Sequence, residues 1–196
     1  GAFVGASVAG LRLLHFDGAV WRDAGLVANV RGSVRDVLED REGCIWATGY
    51  AGSGSWRVDF RQGAGVNAPA DYFDGARGLP FVHGRDVARF ITLGGETLAA
   101  RAGALLRYDR AANRFVPEDR LEHAPAVDHI AIASVAGEDH WWFVTARTPQ
   151  LVHVVPTAEN RWRAETLAAG PLQGFLTTAL HYDAPTRTAW LGSRGG

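Results

Sequence analysis

Residues 34–49 read Val34-Arg35-Asp36-Val37-Leu38-Glu39-Asp40-Arg41-Glu42-Gly43-Cys44-Ile45-Trp46-Ala47-Thr48-Gly49. Val34 to Leu38 alternates apolar and polar residues, the period of a half-buried strand. Glu39 to Gly43 is an acidic turn ending in glycine, and Ile45-Trp46-Ala47 opens a second, more apolar strand. Working outward, Ser55 to Val58 forms a third alternating run, which ends at Asp59. Tyr72-Phe73 supplies a short aromatic fourth. The stretch predicts a four-stranded antiparallel meander.

The same division recurs along the chain. The first strands of the successive units are Val34 to Leu38, Val87 to Leu93, His129 to Val135 and Phe175 to Leu180. The third strands are Leu11 to Phe16, Ser55 to Val58, Leu105 to Tyr108 and Leu151 to Val155. The closing segments are Val20-Trp21, Tyr72-Phe73, Phe115-Val116 and Trp162. The second strands are anchored at Val4, Trp46, Leu98, Trp142 and Trp190, which lie 42, 52, 44 and 48 residues apart. A mean near ~46 falls in the range of one propeller blade. No stretch keeps a helical period over three turns. A lone meander has two faces and only one chain, so its aromatic residues, all seven tryptophans included, need partners from the next unit. The expectation is an all-β fold: a β-propeller, as a partial array of about four four-stranded antiparallel blades spanning residues 1–196. A β-sandwich with coincidental tryptophan spacing is the alternative.

Gly25-Leu26 followed by residues 34–49 resembles the two-component regulator propeller repeat: Gly-Leu, an alternating strand, Glu-Asp, a glycine turn, an apolar-Trp pair, then Thr and glycine. A second copy begins at Gly78-Leu79-Pro80, with Leu98 in place of the tryptophan. A third, from Leu121 to Thr145, keeps Glu138-Asp139 and Trp142. The resemblance implies a non-catalytic, extracytoplasmic ligand-sensing region of a bacterial histidine kinase, often a hybrid one. The chain would then be a periplasmic part of an inner-membrane protein, with the remaining blades and the kinase domains elsewhere in a homodimeric parent. A full propeller of that family has about seven blades, so the chain reads as an incomplete array.

Composition agrees with a globular piece of this kind. The chain has 196 residues, 47% of them hydrophobic and 21% charged, with a net charge of -1. No basic excess exists to neutralise a nucleic-acid backbone. No apolar run is long enough to span a bilayer, so no membrane contact by this segment is expected. All 20 basic residues are arginine, and the chain opens Gly1-Ala2-Phe3-Val4 without a start residue or signal sequence, as a piece of a longer protein would.

Catalytic patterns are absent. The seven histidines show no metal-ligand spacing, and Cys44 is the single cysteine. No metal and no cofactor is expected, and Cys44 reads as a packed residue beside Gly43. Glu39-Asp40 and Glu138-Asp139 recur at one repeat position, as turn residues do; an Asp there bonds its own backbone. Candidate ligand positions follow from topology. In an antiparallel blade the start of the first strand and the end of the second share one sheet edge. Arg35, Asp86, Arg89, Asp128 and His129 fall there, and the loops after the anchor strands add Tyr50, Arg101, Arg147 and Arg194. Guanidinium groups favour carboxylate or sulfate through bidentate hydrogen bonds, with Tyr50 as a stacking face. The expected ligand is therefore an anionic or carbohydrate-like small molecule, for example an acidic oligosaccharide. A propeller lyase using His129 with Arg147, or a kelch-like or WD-like interaction scaffold, is the alternative.

Overall fold

The computed structural model describes residues 2–50, 54–63, 65–79, 88–101, 104–123, 130–136, 140–145, 150–157, 161–168, 177–183, 185–186 and 188–193. Among these the chain is all-β, with no α-helix. Strands β1 (Ala2–Ser7), β2 (Gly10–Phe16) and β3 (Trp21–Arg31) form a first sheet in sequence order. Strands β4 (Val34–Glu39), β5 (Ile45–Gly49), β6 (Ser55–Val58) and β7 (Ala70–Phe73) form a second. A third holds β8 (Arg89–Leu93), β9 (Glu96–Arg101), β10 (Ala104–Asp109) and β11 (Arg114–Pro117). A fourth orders β12 (Leu121–Glu122), β16 (Trp162–Ala168), β15 (Leu151–Pro156), β14 (His140–Thr145) and β13 (Ile130–Ala136), and β17 (Thr177–Asp183) pairs with β18 (Thr188–Ser193). Within each sheet the neighbouring strands are consecutive in sequence, except β12, which lies beside β16.

Two elements depart from the sequence reading. Strand β3 runs well beyond Val20-Trp21, to Arg31, because irregularities in its pairing with β2 absorb extra residues, with Gly25 at a positive φ of 103°. The fourth sheet has five strands: Leu121-Glu122 pairs in parallel with Trp162-Arg163, since the Trp162 N–H donates to the Arg120 carbonyl.

The chain divides into two compact units, Gly1–Phe90 with Asp109–Phe115, and Ile91–Tyr108 with Val116–Gly196. In the first unit the β4–β7 sheet is covered on both faces. Ala47 pairs with Val37 and Trp56, and this side packs with Val4, Leu11, Val27 and Val30 of the first sheet. On the other side Trp46, 0% exposed, lies 5.1 Å from the Phe73 ring, 5.0 Å from Phe90 and 5.5 Å from Phe115. The alternation of strand side chains thus divides β5 between two cores. In the second unit Leu98, Ala100 and Leu105 pack with Ile91, Leu93, Val152, Val154 and Trp162.

Turn chemistry is equally local. Asp40 accepts the Glu42 and Cys44 N–H groups through Oδ1 (3.0 and 2.9 Å) and the Trp46 indole N–H through Oδ2 (3.0 Å). After the third strand, Asp17 accepts the Ala19 and Val20 N–H groups, Asp59 that of Arg61 and Asp109 that of Ala112. One residue type at one repeat position closes the turn after the third strand in these three sheets; after β15 the Thr157 N–H donates to the Arg161 carbonyl instead.

Gly78 shows why the repeat carries glycine. It caps the 3₁₀ turn Gly75–Arg77 in the left-handed region (φ 76°), and a Cβ there would lie 2.0 Å from the Phe115 carbonyl oxygen. Gly78→Ala is therefore expected to destabilise the fold by at least about 1–3 kcal/mol, read as a lower urea midpoint. An unchanged midpoint would show that Phe115 can retreat.

The turn carboxylates also make stability depend on pH. Asp17 is lowered to about 2, first by the Val20 N–H and then by Arg22. Asp59 is held well below the ordinary range, chiefly by the Arg61 guanidinium. Since the folded values are depressed, their stabilisation is present above about pH 4 and is lost as pH falls through the folded values. Asp59→Asn should be less stable at neutral pH and should flatten the acid limb of a stability–pH curve below about pH 4. An acid limb of undiminished steepness would contradict this.

Candidate functional site

The sheet edge where β4 begins and β5 ends brings together part of the expected constellation. The Tyr50 N–H donates to the Ser33 carbonyl and the Gly49 N–H to the Gly54 carbonyl, each at 2.7 Å, which fixes the loop after the anchor strand against the start of β4. An irregularity between Val34 and Asp36 leaves Arg35 out of the pairing with β5. Arg35 is exposed, and its guanidinium lies 5.8 Å from the Tyr50 ring centroid, with Tyr50 39% exposed. Among the described residues no carboxylate lies within ion-pair distance of Arg35. The cation and the aromatic face thus form one platform at the surface.

Arg89 stands at the start of β8, and its Nη1 is 2.7 Å from Asp36 Oδ2. It is half-buried and its charge is already answered, so it frames the edge and leaves Arg35 as the cation presented to solvent. Arg101 ends β9 and is 5% exposed, so its guanidinium is enclosed and is not presented to solvent. Asp86, Asp128, His129, Arg147 and Arg194 lie outside the described residues, as do the Glu138-Asp139 turn and residues 51–53 of the glycine-rich run.

A polar row that residue type alone does not single out lies next to this platform. Asp36 pairs across the sheet with Thr48, and Thr48 with Ser55. Both hydroxyls are buried, and among the described residues neither Thr48 Oγ1 nor Ser55 Oγ has a hydrogen-bond partner. The available signal was two hydroxyl residues on the strand face that otherwise carries Trp46 and Phe73, where an aromatic or aliphatic side chain is the norm.

The remaining candidates resolve into structure. Cys44 is buried and its Sγ accepts a hydrogen bond from Arg61 Nη2 at 3.2 Å; burial raises the thiol above its ordinary value. Such a thiol stays protonated at neutral pH and is not a nucleophile. Asp40 is committed to its turn. Among the described residues no three His, Cys, Asp or Glu side chains gather as a metal site would require, and no helix is long and apolar enough to cross a membrane.

No family model matches the chain, and no curated protein does. Among solved structures it is similar to one described as the extracellular domain of "the putative hybrid two component system" of B. thetaiotaomicron, at 13% identity and a TM-score of 0.49. The likeness covers 97% of this chain and 33% of that one. The chain therefore spans about a third of that structure's length.

Proposed function

We propose that the chain is a stretch of a β-propeller of the two-component regulator type, acting as the ligand-receiving part of an extracytoplasmic sensor. The observation that carries this reading is the repeated use of both sheet faces, with the residues of the repeat in structural roles. Asp40 holds the turn and the Trp46 indole, Trp46 meets Phe90 and Phe115, and Gly78 allows the approach of Phe115. Radial stacking of meanders uses such pairs of faces and places equivalent loops on one rim.

In this reading the rim receives an anionic carbohydrate. Arg35 offers a bidentate donor for a carboxylate or sulfate, and Tyr50 a face for a pyranose ring. The chemistry is binding. Occupancy would favour one arrangement of the propeller against its neighbours, and so bias kinase domains carried elsewhere in the parent protein.

The test is calorimetric titration with oligogalacturonate and with a neutral oligosaccharide of the same length. Binding is expected for the acidic glycan, weakening as salt rises. It should weaken about tenfold further in Arg35→Ala, the equivalent of ~1.4 kcal/mol. Equal affinity for both glycans, or wild-type affinity in Arg35→Ala, would contradict the assignment of this rim.

A further inference from the structure

Asp36 stands one residue beyond Arg35, at the same irregularity of the β4–β5 pairing. Arg35 is outside the ladder, whereas Asp36 is in it, opposite Thr48. A bulge re-aims a side chain in this way, and here it sets a cation and a carboxylate side by side at one sheet edge. They do not neutralise each other. The Arg35 guanidinium rests over the Tyr50 ring, and Asp36 is answered by Arg89, with Nη1 2.7 Å from Oδ2. Asp36 Oδ1 accepts the Val37 N–H at 3.1 Å.

An ionised carboxylate offers about four acceptor positions. Among the described residues these two donors are the ones Asp36 accepts from. The hydroxyl across the sheet, Thr48 Oγ1, has no hydrogen-bond partner there and so takes none of the remaining positions. The Asp36 side chain is 37% exposed, which leaves it open to a donor arriving from solvent. Arg89 holds it from a strand 53 residues further along the chain, so the carboxylate is set in place before any ligand binds.

Charge decides what such an edge prefers. Two guanidiniums, Arg35 and Arg89, and one carboxylate, Asp36, leave a single net positive charge, which one anionic group answers. A second anionic group arriving at Asp36 meets a fixed negative charge well within the Debye length of about 10 Å at 0.1 M salt. A hydroxyl arriving there donates to a carboxylate instead, a charge-assisted hydrogen bond and one of the stronger kinds.

We propose that this edge selects a uronic acid: a sugar ring with one carboxylate for Arg35 and free hydroxyls for Asp36, with Arg89 as the positioning residue. The inference rests on the glycan reading above and narrows it. Acids without hydroxyls and densely sulfated glycans also satisfy Arg35, but the first leave Asp36 unanswered and the second oppose it.

Calorimetric titration with three oligomers of equal length tests this: oligogalacturonate, a fully sulfated oligosaccharide, and oligoglutamate, which carries carboxylates without hydroxyls. The wild type should bind oligogalacturonate at least about tenfold more tightly than either of the others. Asp36→Asn keeps the size of the side chain and an acceptor for Arg89, and circular dichroism checks that the fold persists. In this variant oligogalacturonate should bind more weakly and the sulfated oligomer more tightly, so that most of the preference is lost. If the variant does not fold, the three wild-type affinities decide by themselves. A wild type with no preference for oligogalacturonate, or a folded Asp36→Asn that keeps the wild-type preference, would overturn the proposal. Either result, with binding that still weakens in Arg35→Ala, removes the role of Asp36 and leaves the receiving edge standing. Binding of none of the three, or binding unchanged in Arg35→Ala, removes the glycan reading and this inference with it.

Discussion

A single indole carries much of the second sheet. Trp46 is wedged among Phe73, Phe90 and Phe115, with Arg57 5.7 Å from its ring and its N–H held by Asp40. Burying roughly 200 Å² of aromatic surface is worth about 5 kcal/mol, whereas an unanswered indole N–H in the same place would cost about 1–3 kcal/mol. The burial term is the larger, but roughly a fifth to three-fifths of it would be lost without the carboxylate. Asp40 supplies that acceptor from a turn which also needs its oxygen to cap two backbone N–H groups. Turn and core are therefore one device, and the sequence Glu-Asp with Trp six residues after the Asp is its signature.

From this device follows the use of both faces. A strand whose successive residues Trp46 and Ala47 are both fully buried must cover two sides, so the sheet cannot rest on one neighbour alone. Its two cores are built from different elements: the first sheet supplies aliphatic side chains on one side, and Phe90 with Phe115 supplies rings on the other. The sheet edge is left to polar chemistry. Arg35 escapes the ladder at an irregularity in pairing, and Tyr50 is fixed by its backbone to Ser33, so the platform at this edge is placed by hydrogen bonds of the sheet itself.

Much of this was legible beforehand because it is local. The strand Ser55–Val58 was read with its observed limits, and the turn role of Asp40 followed from residue type and repeat position. What was not legible depends on contacts far apart in sequence. The length of β3 follows from irregular pairing with Gly10–Phe16, which no periodicity within 21–31 announces. The parallel pairing of Leu121-Glu122 follows from a strand some forty residues away. Residue type suggests a row of arginines, but burial and pairing distinguish them: Arg89 is paired with Asp36, Arg101 is enclosed, and Arg35 faces solvent. Alternation reports which face a side chain takes; it does not report how deeply the neighbouring sheet covers it.

The stacking of these sheets stands on the placement of one side chain between two partners distant in sequence. Nuclear Overhauser contacts from the Trp46 indole, in protein with labelled tryptophan and phenylalanine, measure it directly. The indole ring should show cross-peaks to both Phe90 and Phe115, and its N–H should exchange slowly with solvent. An indole with neither contact and a rapidly exchanging N–H would contradict the stacking of these sheets, and with it the reading of the chain as a propeller.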